Sequence, residues 1–294
     1  MLELRHLTRR YGDHLAVDDV TFSVPAGQMV GFVGGNGAGK TTTMRMIMGV
    51  LAPTSGEVRW AGRPATAADR ARFGYMPEER GLYPKQPILD QLVYLGRLRG
   101  LSTTSARERA TELLTRFGLG DRLRATVETL SLGNQQRGQI IASVLGDPVF
   151  LVLDEPFSGL DPAAVDAMTA LLREYTAAGV PVLFSSHQLD LVDRLCDSLV
   201  VLHQGKVVAA GTSDDLRRDA PLRYRLAMAT DTTWVDEQPG ITILQRTPGT
   251  VVLQPTDVAT AQRLLVDAVA RGTVQEYARL VPTLADVYRE VTTA

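Results

Sequence analysis

An α/β protein, built on a mixed or parallel sheet covered by helices and followed by a small α+β appendage, is the fold this sequence predicts. Three observations carry the prediction. Short apolar runs of strand length alternate with amphipathic stretches of helical period as far as about residue 219. A glycine-rich loop joins one of these runs directly to a helix-forming segment. From roughly Pro221 the texture changes to shorter strands around a single helix.

The elements follow in order. Residues 28–33 form a short apolar strand, residues 34–39 the glycine-rich loop, and residues 40–48 a helix that Gly49 closes. Residues 106–117 place Ala110, Leu113, Leu114 and Phe117 on one helical face before Gly118 stops the helix. Residues 148–153 are continuously apolar between Gly146-Asp147 and Asp154-Glu155, as a strand buried on both faces must be. Asp161-Pro162 then supplies an N-cap and a first-turn proline to a helix expected to turn Val165, Met168, Leu172 and Tyr175 inward. Residues 180–184 and 199–202 complete the apolar strands. Beyond them, residues 224–229, 241–245 and 251–254 read as strands, and 257–270 as a helix with Leu264, Leu265, Ala268 and Val269 apolar. Residues 216–220 serve as the expected junction, giving domains 1–219 and 220–294. The second domain clusters no histidines, carboxylates or glycines for chemistry, so packing or self-association is its expected role.

Composition excludes several classes of function. With 294 residues, the chain has room for one large core or two smaller ones. The 31 basic and 33 acidic side chains leave a net charge of −2, which offers no electrostatic footprint for nucleic acid. A single cysteine, Cys196, excludes a disulfide framework and a multi-cysteine zinc site. The longest apolar runs, 149–153 and 180–184, are far shorter than a bilayer span, and residues 1–11 lack the apolar core of a secretory signal. A cytosolic chain is therefore expected, reaching any membrane through a partner.

The chemistry concentrates in two places. Gly34-Gly35-Asn36-Gly37-Ala38-Gly39-Lys40-Thr41 matches the phosphate-loop pattern, between a strand and a helix as that pattern requires. Its glycines let backbone N–H groups close around phosphates, and the helix N-terminus adds favourable partial charge. Lys40 would neutralise the β- and γ-phosphates, Thr41 would ligate magnesium, and Thr42 would hydrogen-bond the α-phosphate. At the end of the apolar run 148–153, Asp154 is placed to hold magnesium and Glu155 to act as general base on water. Taken alone, each motif has a plain alternative: a glycine turn, and a strand followed by two solvated acids.

Together with further motifs these residues resemble the ATP-binding cassette (ABC) ATPases. Leu130-Ser131-Leu132-Gly133-Asn134-Gln135-Gln136-Arg137 resembles that family's signature, Ser158-Gly159-Leu160-Asp161 its D-loop, and Ser185-Ser186-His187 its switch histidine. Tyr11 matches the aromatic that stacks on adenine, and Tyr75-Met76-Pro77-Glu78 the segment carrying the Q-loop. The resemblance covers residues 2–216 with the motifs in the family's order. It implies a RecA-like core with an antiparallel β subdomain and a helical subdomain over about 86–145. It implies ATP and Mg2+ as cofactors, with His187 contacting the γ-phosphate and positioning water. It also implies a homodimer in which Ser131, Gly133 and Asn134 act on the partner's nucleotide, with Asp161 in the D-loop beside them. Physically, Ser131 can cap the helix that follows, leaving amides free for an anion.

The stretch Pro77-Glu78-Glu79-Arg80-Gly81-Leu82-Tyr83, the altered signature and the tail resemble exporter ATPases, including sodium-efflux and drug-resistance cassettes of bacteria. This implies separate transmembrane permease subunits, a site at the inner face of the cell membrane, and a helical subdomain that meets the permease. Two positions depart from the family pattern. Glu78 stands where glutamine is usual, as an expected further magnesium ligand, and Leu132 and Asn134 stand where many members have glycine and glutamine. Retained hydrolysis with altered tuning is expected. The competing readings are a soluble cassette ATPase, a non-hydrolysing structural cassette and an importer subunit. No second cassette, long coiled-coil insertion or zinc module supports the first, and Lys40, Asp154, Glu155 and His187 argue against the second.

Overall fold

The computed structural model describes residues 1–79, 81–218 and 221–293. Chain order begins with two long antiparallel strands, β1 (Leu2–Tyr11) and β2 (His14–Val24), whose leucines at 2, 4 and 7 all turn inward. The apolar run at 28–33 is β3 (Met29–Val33), buried at every residue, and after the glycine-rich loop comes α1 (Lys40–Ile47). β4 (Ser55–Trp60), the two-residue β5 (Arg63–Pro64), the one-turn α2 (Ala67–Arg70) and β6 (Phe73–Met76) follow. Three helices then stand together: α3 (Ile88–Leu98), α4 (Thr103–Arg116) and α5 (Leu132–Val144). The remainder alternates as β7 (Phe150–Leu153), α6 (Pro162–Ala177), β8 (Val182–Ser186), α7 (Leu189–Leu195), β9 (Ser198–His203) and β10 (Lys206–Gly211).

Two sheets organise these elements. β2-β1-β4-β5 is an antiparallel sheet, and β10-β9-β3-β8-β7-β6 is a six-stranded sheet, parallel except for the β9–β10 pair. Residues from both sheets and from α1 share one core, in which Leu4 and Phe22 meet Phe32, Met44, Phe150 and Leu183. Phe73 and Phe150 lie edge to face at 5.3 Å on neighbouring strands, an arrangement aromatic rings prefer. Burial on both faces explains why the central strands are apolar throughout, and why the carboxyl ends of β3, β7 and β8 are free to carry polar groups.

The division into two compact units falls between Ser213 and Asp214, upstream of the boundary expected at 219. α8 (Ser213–Arg218) winds the first residues of the expected junction 216–220 into a helix, with Leu216 buried. Asp219 and Ala220, the rest of that junction, lie outside the described residues, as does Arg80 of the stretch after β6. The second unit continues with β11 (Arg223–Met228), β12 (Ile241–Thr247), β13 (Thr250–Pro255), α9 (Val258–Arg271), β14 (Val274–Leu280) and α10 (Leu284–Thr293). Its antiparallel sheet, ordered β12-β13-β11-β14, has its own core of Leu226, Met228, Val251, Leu253, Leu264 and Ala268. Asp257 caps α9 by accepting from the Thr260 amide at 2.7 Å.

One helix face is rotated from expectation. α6 buries Ala164, Met168, Leu171 and Leu172, while Val165 and Tyr175 are half-buried. α9 leaves Val269 63% exposed, because Ala261, Leu264 and Ala268 form the inward stripe. Apolar identity alone does not choose among positions one residue apart on a helix.

Gly74 in β6 carries a sharp packing constraint. An added Cβ would lie 2.3 Å from the Ser143 backbone oxygen of α5 and 2.5 Å from the Leu151 side chain on β7. Gly74→Ala is expected to destabilise the first unit by roughly 1–3 kcal/mol, read as a lower urea midpoint at unchanged slope.

Candidate active site

The phosphate loop has the backbone its glycines were expected to permit. Gly37 and Gly39 take φ of +75° and +104°, left-handed values that favour glycine. Elsewhere the constraint is space. A Cβ on Gly34 would stand 2.5 Å from the Leu202 carbonyl oxygen at the end of β9, and one on Gly39 2.6 Å from the Ala16 carbonyl oxygen of β2. No side chain caps the start of α1, so its first amides remain available to an anion. Lys40 is only 8% exposed, and its ammonium donates to the carbonyl oxygens of Gly34 at 2.7 Å and Gly35 at 3.3 Å.

The end of β7 faces the same space. A cavity of about 370 Å³ is lined by Tyr11, residues 35–42, Glu78, Asp154 and Glu155, together with His14 and Ala16. Asp154 is 1% exposed. Its Oδ1 accepts from the Ser185 hydroxyl at 2.6 Å, and its Oδ2 is buried with no hydrogen-bond partner among the described residues. A buried carboxylate oxygen without a donor is costly, and a cation or an ordered water at the cavity would relieve it. Thr41 donates its hydroxyl to Glu78 at 3.4 Å, which brings the phosphate loop and the Q-loop carboxylate together. The phenol of Tyr75, on β6, is pushed up by burial and then by the negative charge of Asp154.

Glu155 sits at φ +50°, a strained value for a non-glycine residue, and several groups hold it there. Its amide donates to the Ser185 oxygen at 2.8 Å, and Gln136 of α5 donates its side-chain amide to the Glu155 and Pro156 carbonyls at 3.0 and 3.3 Å. The Glu155 carboxylate lies 3.0 Å from Nδ1 of His187, just past β8. Glutamate, histidine and buried aspartate are thus gathered by two adjacent parallel strands.

The signature residues stand apart from this cavity. Ser131 caps α5 by accepting from the Asn134 amide at 3.4 Å, and a Cβ on Gly133 would lie 2.9 Å from the Gly159 oxygen of the D-loop. Arg137 donates to Asp161 at 2.6 Å, while the other Asp161 oxygen caps α6 through the Ala164 amide. Ser131, Gly133, Asn134 and Asp161 therefore form one local cluster joining α5 to the loop before α6. Sequence reasoning did not single out His14, Ala16, Gln136 or Ser185 for the site. Ser185 was quoted only as part of a motif, and nothing in an apolar strand ending in two serines says that one hydroxyl serves two neighbouring acidic residues.

A glycine loop closed on a buried lysine, beside a strand-end aspartate-glutamate pair on a parallel sheet, defines a phosphate-loop nucleoside triphosphatase. Comparison with known proteins gives its family. Residues 17–158 match the model described as ABC transporter, and residues 211–292 the one described as ATP-binding protein DrrA1-3-like, C-terminal domain. The ABC transporter ATP-binding protein YhaQ of Bacillus subtilis (strain 168) is 39% identical over 99% of this chain and 98% of its own length. The Nod factor export ATP-binding protein I of Cupriavidus metallidurans is 36% identical over 74% of this chain and 72% of its own. Among solved structures, the ATP-binding subunit of an ABC transporter has a TM-score of 0.69 at 38% identity, spanning 74% of this chain and 92% of that one. The dimeric structure of a post-hydrolysis state of the ATP-binding cassette MJ0796, bound to ADP and Pi, shares the fold with a TM-score of 0.65 at 23% identity, over 72% of this chain and 98% of that one. The chain belongs to the ABC transporter family as an ATP-binding subunit.

Ser185 is the shared support of Asp154 and Glu155. Ser185→Ala removes a donor from one and an acceptor from the other, and is expected to cost roughly 1–3 kcal/mol of stability by thermal unfolding. ATP turnover should fall by about tenfold or more, since 1.4 kcal/mol of lost positioning already gives that factor.

Proposed function

We propose that this chain powers export through separate transmembrane permease subunits, acting as a homodimer at the inner face of the cell membrane. The observation that carries the ATPase half of this reading is the orphaned Asp154 oxygen at the phosphate-loop cavity, next to a glutamate already paired with histidine. The likeness to a Nod factor export subunit supports export. No helix among the described residues is long and apolar enough to cross a membrane.

In this reading the triphosphate lies along residues 35–42, with loop amides and the Lys40 ammonium on the β- and γ-phosphates, Thr42 near the α-phosphate and adenine on Tyr11. Thr41, Asp154 and Glu78 fit a magnesium ion, whose chemistry is to neutralise phosphate charge and polarise the γ-phosphoryl group. Glu155 takes the proton of the attacking water, and His187 orients it against the γ-phosphate. Ser131, Gly133 and Asn134, with Asp161 beside them, complete the partner's site, so ATP closes the dimer and hydrolysis reopens it. Glu78, carrying a charge where glutamine is usual, tunes this coupling.

Two variants test the scheme. Lys40→Ala should weaken ATP binding in calorimetry, whereas Glu155→Gln should retain binding and lose roughly 10²–10⁴-fold in turnover. Size-exclusion chromatography of the Glu155 variant with ATP and magnesium should show a dimer, and a monomer at high concentration would refute the closure scheme. Adding a chelator to the wild-type protein should abolish turnover. Co-purification with a membrane subunit from detergent-solubilised cells separates a transporter from a soluble ATPase, and a wild-type turnover no faster than that of Glu155→Gln would overturn the assigned chemistry.

A further inference from the structure

The adenine platform of this site has a second member. The guanidinium of Arg9 lies over the Tyr11 ring, 4.5 Å from its centroid, two residues earlier on the same face of β1. Tyr11 lines the cavity beside the phosphate loop, and Arg9 is not among the residues that line it. The ring is otherwise 45% exposed, and a tyrosine so placed has freedom that base stacking would have to remove.

Arg9 is itself held from elsewhere. Its Nη1 donates to the carbonyl oxygen of Ala52 at 3.0 Å, and its Nε is buried with no hydrogen-bond partner among the described residues. Ala52 belongs to the loop that leaves α1, where the amides of Val50 and Leu51 both donate to the Arg45 carbonyl in the last turn, at 3.0 and 3.2 Å. One side chain therefore joins the Tyr11 ring to the end of the helix that begins at the phosphate loop.

We propose that Arg9 is a positioning residue for the nucleotide base: it pins the Tyr11 ring by a cation–π contact and ties it, through Ala52, to the phosphate-loop helix. Stacked on a fixed ring, adenine meets a surface already in place, and base and phosphates are presented at one spacing. The inference rests on the reading that Tyr11 stacks adenine.

The test is titration calorimetry on the full chain with two ligands, ATP and inorganic tripolyphosphate, which carries the phosphates without a base. Arg9→Met is expected to weaken ATP about threefold, the factor of a partly exposed cation–π contact, and to leave tripolyphosphate unchanged. Arg9→Lys, which keeps a cation near the ring, should bind ATP more tightly than Arg9→Met. In a Tyr11→Ala background, Arg9→Met should cause no further loss. Equal losses for the two ligands would make the role structural or purely electrostatic and overturn the proposal. Unchanged ATP affinity in Arg9→Met, or the same loss with Tyr11 absent, would overturn it too. If Tyr11→Ala alone leaves ATP affinity intact, the stacking reading falls first, and that result is distinct from a failure of Arg9 alone.

Discussion

A carboxylate buried at the end of a parallel strand constrains everything around it. Asp154 is almost wholly out of water, and one hydroxyl, that of Ser185, satisfies one of its oxygens. The same Ser185 oxygen receives the Glu155 amide, which helps hold that residue in its left-handed conformation. Such an arrangement needs β7 and β8 side by side in register, and the flanking apolar residues fully buried to keep them there. The shared core around Phe150 and Leu183 fixes the strand ends that bring the Ser185 hydroxyl to the buried Asp154 carboxylate.

How far the sequence reveals this depends on the range of the interaction. The phosphate loop is legible residue by residue, because its glycines, lysine and threonine act through local backbone and sit between a strand and a helix. The Asp154-Glu155 pair is legible from the apolar run before it. Ser185 and Gln136 are not, since they reach Asp154 or Glu155 only after strands and helices distant in the chain have packed. β1 and β2 are also hard to read as a sheet, because β-bulges at several points along their pairing interrupt the alternation of side chains. The α6 helix is evident from its Asp-Pro start, while in α6 and α9 the inward face is chosen by neighbours far away in sequence.

The second unit gives the opposite lesson. Its elements are short, yet its strands and helix were visible as texture, and Asp257 as an N-cap needs only its own first turn. What could not be seen are α10 and β14, the latter a half-exposed strand without continuous apolar character, which pairs along the full length of β11. Long-range pairing gave that segment its structure, and local propensity contributed little.

Lys40 carries a consequence for how a nucleotide arrives. Its ammonium already holds two acceptors, the carbonyl oxygens of Gly34 and Gly35, inside a loop shaped for phosphate. In the proposed reading an incoming triphosphate meets a cation with two of its three N–H groups already engaged, so for those two association exchanges a carbonyl acceptor for a phosphate one. An anion that takes over those two protons must replace two carbonyl oxygens already placed to receive them.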